Sequence, residues 1–333
     1  MRSLGIRRSV VRTILGALAL ASACRAAPVR IDGIDYEGVA AFATSLGLKS
    51  TWTVPQKTLL LQSDWTRLEL NTDSREIRLN GIRLLLGDAT VLQRGALLLS
   101  RTDERAFLGP ILSSRRVPGL VPGARTVVID AGHGGKDTGT SNKRLGLHEK
   151  GFALEVAREL KRMLEAAGFV VVMTRNDDTF IALPERPAIA ARNRADLFVS
   201  IHFNAIDNPS ITGAETYVLT PRGQRSTGAE NRSPSDNELL PGHTNDPWNA
   251  ILGFRVHRRV INEMKSFDRG LKRARFAVLR ELDCPGILVE GGYLTNDAEA
   301  RRIASPEWRT RLAKAIAGGI IEYREALSQA RSK

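Results

Sequence analysis

The apolar positions change their rhythm near residue 115. Before it, short runs alternate between apolar and polar residues. Thr58-Leu-Leu-Leu-Gln62, Arg67-Leu-Glu-Leu-Asn71 and Glu76-Ile-Arg-Leu79 read as strands. Asn80-Gly81 sits between two such runs and predicts a tight hairpin, because both residues tolerate a positive φ. Ala96-Leu-Leu-Leu-Ser100 closes the set. Glu37 to Gly47 predicts a short amphipathic helix, with Val39, Phe42, Ala43 and Leu46 on one face and Gly47 as its stop. Residues 28–113 therefore predict a small α+β domain. Residues 114–124 hold two Pro-Gly pairs, which interrupt helix and strand alike, and read as a linker.

After the linker, strand-like and helix-like segments alternate. Thr126-Val-Val-Ile-Asp130, Phe169-Val-Val-Val-Met173, Leu197-Phe-Val-Ser-Ile201, Ala214-Glu-Thr-Tyr-Val-Leu219, Phe276-Ala-Val-Leu279 and Gly286-Ile-Leu-Val289 read as strands. Gly151–Ala167, Pro184–Ala195 and Trp248–Met264 read as helices, and Ser305-Pro306 starts a last one. The alternation predicts an α/β domain over residues 125–330 with a mainly parallel central sheet flanked by helices. Thr220 to Asp246 breaks the rhythm with Gly, Pro, Ser, Asn and Arg. It reads as a disordered surface loop or as a mobile flap near an active site.

The first residues look like an address. Met1–Arg12 holds four arginines and no acid, and an apolar stretch ending in small residues runs from Thr13 to Ala23. That is the layout of an export signal, taken here as residues 1–27. Arg7-Arg8 also fits a twin-arginine signal, and Cys24 fits a lipid-anchored start, although Ala21 stands where a lipoprotein signal has Leu. Loss of residues 1–23 would take the net charge from +13 to about +9, so the chain stays basic. An exported basic protein meets anionic wall polymers or lipid head groups. Nucleic acid is a poor fit, because export argues against it and only 5 % of residues are aromatic. Two cysteines cannot build a disulfide framework. No apolar run is long enough for a membrane-spanning helix.

Candidate chemistry gathers where α/β sheets place it, at the carboxyl ends of strands. The first strand runs into Asp130-Ala-Gly-His133-Gly-Gly, the third into His202-Phe-Asn204, and the last into Glu290-Gly-Gly, while His148-Glu149-Lys150 opens a helix. Two His and two Glu at one rim suit a catalytic zinc site, with three protein ligands, an open fourth position and one carboxylate to spare. The separations of 16, 53 and 88 residues from His133 through Glu149 and His202 to Glu290 are not those of a zinc finger or an HExxH helix. Asn204 follows His202 by two and could share its side of the strand, where it would touch substrate or brace the loop. His148, His243 and His257 read as structural or solvated. Arg175 and Arg186 could meet substrate carboxylates but read rather as partners of Asp177, Asp178 and Glu185.

Four segments resemble the zinc-dependent N-acetylmuramoyl-L-alanine amidases: Val128-Ile-Asp-Ala-Gly-His-Gly-Gly-Lys-Asp137, Glu149-Lys150, Ala195-Asp-Leu-Phe-Val-Ser-Ile-His-Phe-Asn-Ala205 and Leu288-Val-Glu-Gly-Gly-Tyr-Leu-Thr-Asn296. The resemblance covers about residues 125–325. It implies zinc held by His133, Glu149 and His202, with Glu290 as the catalytic glutamate and peptidoglycan as substrate. Tyr293 departs from the usual Phe, and Arg192-Asn193 from the usual Ala-Asn. The small N-terminal domain resembles one first described in copper amine oxidases and often attached to cell-wall proteins, which implies a wall-binding or spacer role. The implied location is the periplasm or cell wall. A regulatory activator protein and the oligomeric state are left open. Two rival functions share these residues: a wall-binding protein without activity, and a zinc peptidase cutting within the stem peptide.

Overall fold

A computed structural model describes residues 28–332. The expected export signal, residues 1–27, lies outside the described residues. No helix among the described residues is long and apolar enough to cross a membrane.

The N-terminal part opens with β1 (Val29–Ile31), β2 (Ile34–Gly38) and α1 (Val39–Ser45). The helix is shorter than the predicted 37–47 because Glu37 and Gly38 stay in the strand, where they pair with β9 (Ala96–Ser100). Its buried face is Val39, Phe42 and Ala43. A meander follows: β3 (Lys49–Val54), β4 (Thr58–Gln62), β5 (Arg67–Asn71), β6 (Glu76–Leu79) and β7 (Ile82–Leu85). Asn80 and Gly81 both have positive φ, 50° and 82°, as a two-residue turn between right-twisted strands requires. A second hairpin joins β8 (Val91–Gln93) to β9. Leu59, Leu61, Leu68, Leu70, Ile77 and Leu79 alternate onto the buried side. After β9 come α2 (Arg101–Asp103), a π-turn at Glu104–Leu108 and α3 (Gly109–Leu112).

The second part contains β10 (Thr126–Ala131), the short pair β11 (Ser141–Asn142) and β12 (Leu147–His148), α4 (Glu149–Ala166), β13 (Val170–Met173), α5 (Glu185–Arg192), β14 (Leu197–Asn204) and β15 (Ala214–Leu219). It continues with α6 (Asp246–Met264), β16 (Asp268–Ala274), α7 (Ala277–Arg280), β17 (Gly286–Tyr293), α8 (Asp297–Ile303) and α9 (Pro306–Arg331). Strands β13-β10-β14-β17 are parallel. β15 joins β17 antiparallel, and β16 then runs parallel to β15. The central sheet is therefore mixed, with a parallel half that carries the candidate site. The larger apolar cluster packs α4, α6 and α9 on one face, and a smaller cluster around Phe198, Leu279 and Leu288 backs the other. Residues 276–279 are not a strand. Phe276 caps α7, and β16 takes the sheet position instead.

The sheet does not stop at the second part. Leu271 of β16 pairs with Leu84 of β7, so one sheet of eleven strands runs from β13 to β3. A buried polar knot locks this seam. Arg273 and Asp103 are fully buried and paired at 2.6 Å. Arg273 Nη1 also donates to Gln224 Oε1 at 2.6 Å, and Gln224 Nε2 donates to Asp88 and Asp103 at 3.0 Å each. Gln224 fits only because residue 87 is glycine; a Cβ there would lie 2.2 Å from its carboxamide. The polar segment 220–246 thus packs onto the N-terminal part. None of its residues lines the cleft described next, so the flap reading and the loose-loop reading both give way to a strap.

Candidate metal centre

The site is built on the carboxyl ends of β10, β14 and β17. Asp130, fully buried near the end of β10, accepts hydrogen bonds from Arg186 Nη1 (2.6 Å), Thr174 Oγ1 (2.8 Å) and Ser200 Oγ (2.7 Å). Arg186 also donates to the carbonyls of Ala131 and His133, and Arg175 to those of Ala131 and Gly132. Two buried guanidinium forks therefore hold the loop 131–135 by its backbone. Arg186 thus pairs with Asp130, not Glu185, while Arg175 bonds backbone carbonyls, Asp177's included, and no carboxylate among the described residues. Both charges are spent on aiming the glycine loop. Within it His133 has φ +60°, and a Cβ on Gly132 would lie 2.4 Å from the His202 ring.

His133, Glu149 and His202 converge. Nε2 of His133 lies 3.1 Å from Glu149 Oε1 and 3.2 Å from His202 Nδ1, and the latter is 3.0 Å from the same Glu149 oxygen. Ligands on a tetrahedral ion at about 2.0–2.1 Å sit roughly 3.3 Å apart. The three atoms fit that cradle, and together they form the one described group that could hold a metal ion. Further contacts orient His133 and Glu149. Asp137 Oδ2 lies 2.8 Å from His133 Nδ1, which leaves Nε2 free to face the others. Glu149 opens α4, where the helix dipole favours a carboxylate. Its oxygens accept from Thr140 N (2.8 Å) and Phe203 N (2.9 Å). Burial alone would raise its pKa, but hydrogen bonds from His133 and His202 hold it well below the ordinary carboxylate range.

Glu290 lies on β17 directly beside His202 in the strand register. Its Oε2 is buried and has no hydrogen-bond partner among the described residues. Burial, with the negative charges of Glu149 and Glu215 nearby, pushes its pKa well above the usual value, and Lys272 works against that shift. All four residues and Asn204 line one cleft of about 340 Å³. Asn204 Oδ1 accepts from Ala205 N, so the side chain also braces the loop that leaves the strand. Larger cavities of about 510 and 560 Å³ border the N-terminal part, but they lack this donor set. His148 turns away and bonds Ser141.

Sequence reasoning missed Asp137 as the orienting partner of His133. Its spacing of four, inside a glycine loop, was a usable signal. It also missed Glu215, opposite Glu290 across the β15–β17 pair and bonded to Lys272 at 2.8 Å. Tyr217 and Tyr293 hydroxyls donate to the same carboxylate. Nothing local in the sequence announces that cluster.

Fold and site together define a class: an α/β protein with a metal-competent His–Glu–His rim and, beside it, a half-buried glutamate with one buried oxygen left unpartnered. Residues 127–322 match the family described as N-acetylmuramoyl-L-alanine amidase, and the chain belongs to that family. It is 36 % identical over 217 residues to the amidase AmiC of Neisseria meningitidis serogroup B, covering 59 % of this chain and 52 % of that protein. It is 33 % identical over 222 residues to AmiA of Escherichia coli K12, covering 60 % of this chain and 76 % of that protein. The chain thus spans about half the length of the Neisseria relative. Among solved structures, the amidase of Clostridium difficile 630 matches with a TM-score of 0.51 at 33 % identity, over 61 % of this chain and 97 % of that one. AmiC2 of Nostoc punctiforme matches with a TM-score of 0.50 at 35 % identity, over 61 % of this chain and 99 % of that one.

Proposed function

We propose that this protein is a peptidoglycan hydrolase that cleaves the amide between the lactyl group of N-acetylmuramic acid and L-alanine. The observation that carries the proposal is the meeting of three metal-ligand atoms, 3.0–3.2 Å apart, with the unpartnered Glu290 in one cleft. His133 Nε2, Glu149 Oε1 and His202 Nδ1 would hold zinc, which supplies Lewis acidity toward the amide carbonyl and toward water. The rest of the chemistry falls to the chain. Asp137 keeps the His133 proton on Nδ1. Glu290, at the cleft beside the candidate ligands, takes a proton from the attacking water and returns it to the leaving nitrogen. Water adds to the carbonyl carbon, the C–N bond breaks, and the products are a lactyl carboxylate and a free alanine amine. Asn204, at the cleft wall, is placed to contact the substrate.

The proposal extends to the rest of the chain. Residues 1–27 act as an export signal, residues 28–113 as a wall-binding or spacer domain, 114–124 as a linker, and 125–330 as the catalytic domain with its insertion 220–246. The protein works in the periplasm or cell-wall compartment. A carboxylate with one buried, unpartnered oxygen beside a ligand cradle is costly to keep in a protein without activity, which favours an enzyme over a non-catalytic wall binder. Purified sacculi should release stem peptides with a free L-alanine amine, seen by mass spectrometry, and a chelator should stop the release. Glu290→Gln keeps the volume of the side chain; it should retain one zinc per chain and lose about 10²–10⁴-fold in kcat. Digestion by that variant at the wild-type rate would sink the assignment.

A further inference from the structure

The cleft carries apolar side chains beside the candidate ligands. Leu183, Phe276, Val278 and Leu288 line the same cleft. Val278 and Leu288 are buried, but Leu183 is 56 % exposed and Phe276 37 % exposed. Single exposed apolar side chains are common and need no explanation. Here two of them come from separate segments, face one cleft, and are each held by a built frame.

Leu183 rides on the segment 177–184. Arg186 Nε and Nη2 donate to the Ile181 carbonyl at 3.1 and 2.9 Å. Asp178 accepts from Gly135 N (2.9 Å) and Lys150 Nζ (2.6 Å), which ties the segment to the His133 loop. The two pack so closely that a Cβ on Gly134 would lie 2.1 Å from the Thr179 carbonyl oxygen. On the other side, the carbonyl of Phe276 accepts from Leu279 N and Arg280 N at the head of α7. Its ring meets Tyr217 edge to face at 5.0 Å, and the Tyr217 hydroxyl is fastened to Glu215. These bonds fix the backbone that carries each apolar group at the cleft.

We infer that Leu183 and Phe276 form an apolar jaw that reads the short aliphatic groups flanking the scissile amide and selects a small, uncharged side chain on the residue whose amine leaves. The inference rests on the amidase reading above and names a specificity device for it. A methyl group covers this wall and is itself covered. A charged side chain in the same place would lose hydration without gaining a partner. A bulky one competes with the substrate backbone for a cleft of about 340 Å³.

The test is a set of four synthetic muramoyl peptides that differ only in the first residue: Gly, L-Ala, L-Val and L-Asp. Each is measured with wild type, Leu183→Ser, Leu183→Met and Phe276→Ser, with zinc content recorded throughout. Wild type should prefer L-Ala and reject L-Asp. Leu183→Ser and Phe276→Ser should raise KM for the L-Ala peptide, about four-fold for each methylene group left uncovered, and narrow the gap between L-Ala and L-Asp at unchanged zinc content. Leu183→Met should restore the wild-type ranking. An unchanged ranking in both serine variants, or an equal fall in kcat for all four peptides, overturns the jaw. Wild type that cleaves none of the four overturns the amidase reading itself, which separates the two failures.

Discussion

Asp137→Asn isolates how much of the metal affinity comes from outside the ligand set. In the wild type, Asp137 Oδ2 lies 2.8 Å from His133 Nδ1, and Oδ1 accepts from Gly139 N at 3.0 Å. The Asn variant keeps the shape but removes the charge, and its amide nitrogen can accept from neither His133 Nδ1–H nor Gly139 N–H, so both bonds survive only if its one oxygen serves both. Asp137 is also partly solvent-exposed, so water screens its field. Loss of such an orienting carboxylate costs about 10–100-fold in metal affinity in comparable sites, or about 1.4–2.7 kcal/mol. The exposure argues for the lower end with Asn and the upper end with Ala, which also orphans Gly139 N. The assay is competition for zinc against a chromophoric chelator, at fixed pH, with wild type, Asp137→Asn and Asp137→Ala in parallel. Activity against zinc concentration should shift right by the same factors and reach the same plateau. Affinities of all three proteins within two-fold of one another would refute the view that Asp137 sets the His133 tautomer.

Other outcomes follow from the same geometry. Gly132→Ala forces a Cβ to within 2.4 Å of the His202 ring, so the folded variant should lose zinc while its far-UV circular dichroism is kept. Arg273→Met leaves Asp103 charged and buried without its 2.6 Å partner; urea unfolding should show a loss of about 3–5 kcal/mol, with Asp103→Asn restoring part of it in the double variant. Asp246 opens α6, and burial pushes its carboxyl up to about 8, with Arg273 and Arg275 opposing. The folded chain then holds a proton that the unfolded chain releases near pH 4, so this group's contribution to stability falls as pH rises from about 4 and levels off above about 8. Asp246→Asn should therefore match wild type near pH 3.5 and exceed it by a few kcal/mol at pH 8; parallel denaturation curves at the two pH values would refute the burial argument.

Much of the fold was legible because its signals are local. The Asn80-Gly81 turn, the Ser305 cap of α9 and the alternating strands 58–62, 67–71 and 76–79 all follow from backbone preference within a few residues. The misreadings share one cause. Phe276-Ala-Val-Leu279 is apolar enough for a strand but lies where the sheet already has β16, so it coils into α7 over the smaller core. Residues 49–54 form a strand that sequence reading leaves unassigned, because this edge strand buries only part of one side chain, Trp52. The strap 220–246 looked loose because it has few apolar residues, yet much of its order comes from Gln224, Arg232 and Asp236, whose partners lie elsewhere in the chain.

The same division holds for the site. From the chain alone come the residue types, the glycine loop around His133, the strand ends that present His202 and Glu290, and a family resemblance that picks Glu149 from many helix-start acids. Tertiary structure alone decides that these four reach one cleft, that Asp130, Arg175 and Arg186 grip the loop from behind, and that Glu215 stands opposite Glu290. It also decides that the N-terminal strands continue the catalytic sheet. Periodicity and turn chemistry act over a few residues and are written along the chain. Convergence of a buried carboxylate, a guanidinium or an imidazole depends on who shares its low-dielectric surroundings, and that is settled only when strands far apart in sequence come together.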